Sequence, residues 1–272
     1  MKPVEVDIAV DWAAREGWNP GLHDAASYIS ADPDGFLIGL LGDEPIATIS
    51  AIKYGNSFGF LGFYIVKREY RGKGYGTEIA KAGISYLEGR NMGLDGVVEQ
   101  QENYKRAGFK LAYRNIRYEG AGGGSPHGPE IVRLSSLPFE TVAAYDRPFF
   151  PASRSPFVKS WISQPDSHAL GIMQQGNLAG YGVLRQCRTG YKIGPLYADS
   201  PALAESLFLA LISKAGPSER VYLDVPEVNR EAVALADRHG MTVSFETARM
   251  YSGAVPRLPL DRLFGVTSFE IG

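Results

Sequence analysis

An apolar run, SFGFLGFYIVK (57–67), leads straight into REYRGKGYG (68–76) and then into the helical pattern TEIAKAGISYLEG (77–89). A strand that enters a helix through three alternating glycines, Gly72, Gly74 and Gly76, requires a β–turn–α unit and hence an α/β arrangement around it. On the helix Ile79, Ala80, Gly83, Ile84 and Leu87 form one face, and Glu78, Lys81, Ser85 and Glu88 the other. The first N–H groups of a helix point outward without partners, and its dipole places positive charge there. Glycines let that backbone approach an anion and permit positive φ. With Arg71 and Lys73 alongside, a phosphate or pyrophosphate is the natural ligand.

The spacing narrows the choice. Lys73 lies between the glycines, so the nucleoside-triphosphate loop G-x-x-x-x-G-K-[ST] is absent. The dinucleotide pattern G-x-G-x-x-G also fails, because the glycines run G-x-G-x-G and follow a third or fourth strand, not the first.

The rest of the first half reads as a helix over 4–17 stopped by Gly17, a short helix over 24–30, and a hairpin of 36–41 with 47–55. Beyond the loop helix come a strand (92–98), a short helix (100–108) and one or two strands over 109–119. EGAGGGSPHGP (119–129) reads as a flexible linker, giving domains 1–119 and 130–272 joined by 120–129. The second half repeats the theme: a hairpin of 168–175 with 177–187, a strand (191–199), and a helix capped by Ser200 with Pro201 in its first turn. A strand (220–226), a helix over 229–240 with Asn229 as cap, and a final segment over 241–253 complete it.

AGFKLAYRNIRYEG (107–120) and HGMTVSFETARMYSG (239–253) each begin at a helix-stopping glycine followed by a large apolar residue. The interval from Gly108 to Arg117 equals that from Gly240 to Arg249, and a tyrosine follows each arginine, Tyr118 and Tyr251. We read the chain as a diverged internal duplication.

Composition adds limits. Apolar residues make up 44% and charged residues 21% of the 272, as in an ordinary globular protein. A net charge of −2 gives no reason to expect nucleic acid or an anionic membrane as partner. The start lacks the apolar core of a signal peptide, and no run is long enough to span a bilayer, so a cytoplasmic location is expected. The single cysteine, Cys187, excludes an internal disulfide, fits a reducing compartment, and reads as a buried packing residue. His23, His127, His168 and His239 are far apart and offer no metal-site spacing.

Arg71-Gly72-Lys73-Gly74-Tyr75-Gly76 resembles the Arg/Gln-x-x-Gly-x-Gly/Ala loop of the GNAT N-acyltransferase superfamily. Asn103-Tyr104-Lys105-Arg106-Ala107-Gly108-Phe109 resembles that family's Tyr-x-x-x-Gly-Phe signature, at its usual separation. The second half resembles, more loosely, the divergent domain appended in two-domain members. The resemblance implies an α/β (α+β) chain of tandem GNAT-like domains, each a mixed, mostly antiparallel sheet flanked by helices. It implies acetyl-coenzyme A as cosubstrate and transfer of its acyl group to a primary amine. The strand in the place of the loop strand, YKIGPLYAD, is followed by SPALAESLF, with no Arg-x-x-Gly-x-Gly, so one cofactor site per chain is expected.

By the resemblance, the backbone of Tyr64, Ile65 and Val66 holds the pantetheine arm, and an N–H there polarises the thioester carbonyl. Arg71, Gly72, Lys73, Gly74, Tyr75, Gly76 and Thr77 hold the pyrophosphate. Tyr104 protonates the departing thiolate, its other reading being a tyrosine packed on its helix. Asn103 bonds the pantetheine amides or caps locally. Glu99, ending a strand, is the candidate general base, with Glu102 one turn away and a water relay also open. Glu16, Trp18 and Asn19 in EGWNPG (16–21) border the acceptor pocket, or form a tight turn with a buried Trp. Asp224, Glu227 and Arg230 mark either a ligand site or a salt-bridged helix start. The acceptor, a small-molecule or peptide amine, stays open. The second half either covers the acceptor cleft or supplies a packing or homodimer surface. The rival reading is a non-catalytic acyl-coenzyme A sensor or regulatory module, which would keep the loop but need no Tyr104.

Overall fold

The computed structural model describes residues 1–125 and 131–272. In the first half lie α1 (Val6–Arg15), α2 (Asp24–Ala31), β1 (Phe36–Leu41), β2 (Glu44–Tyr54), β3 (Phe58–Val66) and α3 (Tyr75–Tyr86). β4 (Asn91–Val97), α4 (Gln101–Arg106) and β5 (Lys110–Ala121) follow. The second half holds β6 (Ile131–Arg133), α5 (Phe139–Asp146), α6 (Ser155–Trp161), β7 (Ser167–Gln174), β8 (Asn177–Gln186) and β9 (Tyr191–Ala198). It closes with α7 (Pro201–Ile212), β10 (Arg220–Pro226), α8 (Arg230–Arg238), β11 (Thr242–Tyr251) and β12 (Leu263–Gly265). Ser200 Oγ caps α7 by accepting from Leu203 N, and Asn229 caps α8, as their sequences require.

The fold is a mixed sheet flanked by helices, but the expected two sheets are joined into one. The strand order is β1-β2-β3-β4-β11-β5-β10-β9-β8-β7-β6, with β12 added on β9. The parallel pairs are β3 with β4 and β9 with β10; the other pairs are antiparallel.

The joint is made by the repeated segments. β11, from the second half, lies between β4 and β5; β5, from the first, lies between β10 and β11. Each half thus lends a strand to the other. The physical reason is that both segments carry apolar side chains facing a foreign core. Ala248 and Met250 of β11 enter the core built by Ile49, Leu61, Ile79 and Leu94. Ile116 and Tyr118 of β5 enter the core built by Leu196, Leu207 and Leu223. A third cluster joins Trp12, Tyr28 and Phe63 to Trp161, Tyr197 and Phe269.

The linker expected from 119 starts later. Glu119, Gly120 and Ala121 still pair with β10, and Gly122 and Gly123 donate to Glu219 O, Ile212 O and Ala215 O. Residues 126–129 of that stretch, His127 among them, lie outside the described residues. The segment 109–119 is a single strand, and the first helix starts at Val6 after a 3-10 turn over Pro3–Glu5. Cys187 is buried, and burial pushes its thiol pKa up, as a packing role requires. Asp224 and Glu227 are ion-paired, with Arg117 and Arg114.

Candidate active site

β3 and β4 pair only from Phe58–Leu61 to Asn91–Leu94. Beyond that point β4 turns to β11 and β3 stays on β2, so the two strands part and leave a wedge. A bulge in β3 widens it. Phe63 and Tyr64 together face Ile49 alone, Phe63 takes φ +46, and Thr48 Oγ1 donates to Phe63 O at 2.8 Å. A bulky residue at positive φ is strained, and here the surrounding core holds it. Strand amides alternate in direction, so past the bulge some face the wedge with no strand to meet them.

The wedge opens onto the glycine loop. Gly72 has φ +75, and Gly74, with φ +89, is the N-cap of α3. No side chain caps this helix, and the first intrahelical bond is Glu78 N to Gly74 O. The amides of its first turn are therefore free to meet an anion. α7, at the matching place in the second half, has its own Ser200 cap.

The resulting cavity has a volume of about 940 Å³. Of the residues singled out in the sequence, Tyr64, Ile65, Val66, Arg71, Gly72 and Thr77 line it on the loop side. Glu99, Asn103, Tyr104, Glu16 and Trp18 line it elsewhere. Lys73, Gly74, Tyr75 and Gly76 belong to the adjoining loop and helix start, outside the cavity wall. Lys73 Nζ sits 5.4 Å above the Tyr70 ring.

Tyr104 reaches the wedge because Gly96 makes room; a Cβ there would lie 2.2 Å from the Tyr104 ring. Burial, with a smaller contribution from Tyr64, pushes the Tyr104 phenol up to about 12. Tyr64 is raised by burial as well. Among the described residues none hydrogen-bonds the Tyr104 hydroxyl. Asn103 is tied along its own helix, its Nδ2 donating to Gln100 Oε1 and its Oδ1 accepting from Arg106. Glu99 is exposed at the rim. Arg71 donates from Nε to Val66 O at 2.8 Å and from Nη2 to Glu16 Oε1 at 2.6 Å.

Asn19 does not border the cavity. Its amide donates to Thr189 O and accepts from Thr189 N, each at 2.9 Å, so it ties EGWNPG to the β8–β9 turn. Trp18 lines the cavity, and its carbonyl accepts from Arg117 Nη1 at 2.8 Å and Lys192 Nζ at 3.3 Å.

The second half supplies cavity wall that no local sequence signal announces: Phe245 and Thr247 from β11, and Phe269 and Glu270 from the segment after β12. That segment also explains the fate of the second wedge. β9 and β10 part after pairing Tyr191–Ile193 with Val221–Leu223. β12 fills the gap, pairing with β9, and Val266 N donates to Asp224 O at 2.9 Å. The chain then passes Gly62, where a Cβ would lie 1.9 Å from Glu270 O. Gly62, inside a strand, is the one sequence trace of this approach.

Residues 6–109 match the family described as "Acetyltransferase (GNAT) family", and residues 142–265 match "Acetyltransferase (GNAT) domain". A holothin acyltransferase from a Pseudoalteromonas species is 30% identical over 269 residues, covering 98% of this chain and 92% of that protein. The chain belongs to the GNAT acetyltransferase superfamily. It is a two-domain member and a GNAT-type N-acyltransferase. A putative acetyltransferase from Pyrococcus horikoshii shares its fold, with a TM-score of 0.84 at 23% identity over 100% of this chain and 94% of that one. So does a tandem GNAT protein from the clavulanic acid biosynthesis pathway, with a TM-score of 0.64 at 12% identity over 94% of this chain and 98% of that one. No helix of the described residues is long and apolar enough to cross a membrane.

Proposed function

We propose that this GNAT protein transfers an acetyl group from acetyl-coenzyme A to the primary amine of a small molecule by direct attack. The observation that carries the reading is the uncapped start of α3, with Gly72 and Gly74 at positive φ, at the mouth of the β3–β4 wedge. A pyrophosphate fits those amides with Arg71, Lys73, Tyr75, Gly76 and Thr77 around it. The wedge behind accepts an extended arm along the backbone of Tyr64, Ile65 and Val66, with Asn103 at its edge.

The cosubstrate supplies a thioester that is already activated; the chain needs to hold an amine beside it. An N–H past the Phe63 bulge polarises the carbonyl oxygen. Tyr104, with its proton held up to about 12, donates a hydrogen bond to the sulfur as it leaves. A phenol that holds its proton this firmly gives it up less readily than an ordinary tyrosine, so stabilisation through the hydrogen bond is the role proposed for it. Glu99, which the strand end suggests as base, stands exposed at the rim, and Glu16 and Trp18 line the cavity in which the acceptor would sit.

A cavity of about 940 Å³ suits a small molecule better than a protein chain. The relative named as a holothin acyltransferase makes holothin the first acceptor to offer.

Thermal unfolding with and without acetyl-coenzyme A tests the reading, on wild type and on Gly74→Glu. Ligand at a hundredfold over its Kd adds about 2.7 kcal/mol of stability. Wild type gains and Gly74→Glu, with a carboxylate in the phosphate site, does not. No gain in either at millimolar cosubstrate defeats the reading.

A further inference from the structure

Glu270 is 3% exposed, lines the cavity, and comes from the second half. Its Oε2 accepts from Ser268 Oγ at 2.5 Å and from Tyr28 OH at 3.2 Å. Among the described residues no donor reaches Oε1. The backbone is fixed on both sides: Ser50 Oγ donates to Glu270 O at 3.1 Å, and Tyr54 OH to Ile271 O at 2.9 Å.

The charges around it balance in an informative way. Arg117, Arg185 and Lys192 are buried nearby and feel the charge of Glu270. Arg117 is forked by Asp224 at 2.6 and 2.8 Å, and Arg185 is bonded to Asp24 at 2.9 Å. Lys192, among the described residues, bonds the Trp18 carbonyl alone. Glu270 is the carboxylate left over, without a direct ion partner among the described residues, and it lines the cavity. The other cavity carboxylates are committed or peripheral. Asp95 is forked by Arg249 and bonded by Asn115, Glu16 holds Arg71, and Glu99 is exposed.

Beside Glu270 the wall is aromatic. Phe245 and Phe269 have ring centroids 6.4 Å apart, and the Arg117 guanidinium lies 5.5 and 5.0 Å from them. Trp18 and Phe63 complete this end.

We propose that Glu270, carried in by the second half, is the proton acceptor for the amine, and that this end of the cavity takes an amine on a compact apolar or aromatic body. The proposal rests on the acyltransferase reading above. One N–H bond of the acceptor ammonium breaks and its proton passes to Glu270 Oε1. The freed lone pair forms the C–N bond to the thioester carbon while the C–S bond breaks and its electron pair leaves on sulfur. A second N–H proton of the nitrogen then goes to that sulfur, giving amide and free thiol. The second half is on this view a working part of the site, and the segment that fills its own wedge also delivers the base.

The test uses the full chain, acetyl-coenzyme A and benzylamine, which is protonated at neutral pH, with release of free thiol as readout. Wild type, Glu270→Gln, Glu270→Asp and Glu99→Gln are compared, each with its melting temperature and its shift on adding acetyl-coenzyme A. Glu270→Gln is expected to lower kcat about a hundredfold with the cosubstrate shift retained. Its residual rate should climb with pH, as free amine replaces ammonium, more steeply than that of wild type. Glu270→Asp recovers part of the rate, and a loss in Glu99→Gln that equals or exceeds the loss in Glu270→Gln would make Glu99 the base and overturn the proposal. If benzylamine is not turned over, hydrolysis of acetyl-coenzyme A is followed instead, water then being the nucleophile that yields its proton; loss in Glu270→Gln supports the proposal and an unchanged rate overturns it. A Glu270 serving only as buried counter-charge would lower the melting temperature and leave kcat and its pH profile unmoved, which also overturns it. A wild type without any cosubstrate shift removes the acyltransferase reading, and the proposal with it.

Discussion

Arg249 on β11 forks Asp95 on β4, with Nε 2.7 Å from Oδ1 and Nη2 2.6 Å from Oδ2. The two residues are directly opposite in the β4–β11 ladder. Arg117 on β5 forks Asp224 on β10 in the same way, again directly opposite. The duplicated segments thus carry duplicated ion pairs, each joining one half of the chain to the other. Both are buried. Removing one partner of such a pair leaves a charge without compensation and costs about 3–5 kcal/mol. Arg249→Ala and Arg117→Ala are expected to destabilise by that order in urea unfolding, and a loss below about 1 kcal/mol in either would show that the pairs are not what fastens the halves.

The pH dependence follows from Asp224. Burial alone would raise its pKa, but the Arg117 guanidinium beside it outweighs burial and holds it below the usual carboxylate value. A carboxylate lowered in the folded state contributes stability above its unfolded pKa of about 3.9, and that contribution is lost as pH falls through the folded value. Asp224→Asn is expected to be much less stable than wild type at pH 7, with the gap narrowing below about pH 4. A gap that stays constant from pH 7 to pH 3 would mean that the pair gives no net linkage.

Strand exchange makes the halves dependent on each other. A chain of residues 1–125 lacks β11, which lies between β4 and β5 and brings Ala248 and Met250 into the core. It also leaves Asp95 buried without Arg249. That fragment is expected to show no cooperative melt alone and to fold when co-expressed with 131–272, the two co-purifying. A cooperative melt of 1–125 alone would contradict this.

How much was legible follows from how local each signal is. The glycine loop depends on neighbours in sequence: Gly72 and Gly74 supply the positive φ, and the amphipathic pattern supplies the helix. Tyr104 was singled out by the likeness of Asn103–Phe109 to the family signature, and it does line the cavity. The likeness of 107–120 to 239–253 was legible as a repeat, yet nothing local says that β5 and β11 pair with each other, because their partner choice is made by distant cores. Phe245, Thr247, Phe269 and Glu270 entered the site by that same long-range route. The Phe63 bulge was hidden because its strain is held by tertiary packing, not by a residue suited to positive φ. Asn19 read as a pocket amide because its neighbour Trp18 is in the pocket, but its partner, Thr189, is far along the chain.

Tyr104 makes a prediction that separates hydrogen bonding from proton transfer. Its hydroxyl, pushed up to about 12, keeps its proton at any pH an assay would use. kcat is therefore expected to show no falling limb between about pH 7 and pH 10, where an ordinary tyrosine begins to ionise. Tyr104→Phe should lower kcat roughly tenfold or more, short of the largest effects of full acid catalysis, with KM for acetyl-coenzyme A nearly unchanged. An unaffected kcat would return Tyr104 to a packing role.

On the proposed reading, Glu16 competes with the cosubstrate for Arg71. Its Oε1 lies 2.6 Å from Arg71 Nη2 and 4.0 Å from Arg68 Nε, so the arginine beside the phosphate loop already has an anion. A pyrophosphate must share that guanidinium or displace the carboxylate, and the carboxylate repels it in either case. Arg71 is 45% exposed, so the ion pair is worth no more than about 1 kcal/mol. Glu16→Gln is accordingly expected to tighten acetyl-coenzyme A binding by up to about fivefold, measured by calorimetry at low salt. The gain should shrink at high salt, where exposed charges are screened. The opposite result, weaker binding by Glu16→Gln, would show that the carboxylate aims Arg71 at the phosphates instead of competing with them, and Glu16 would then join the cofactor site through the arginine it positions.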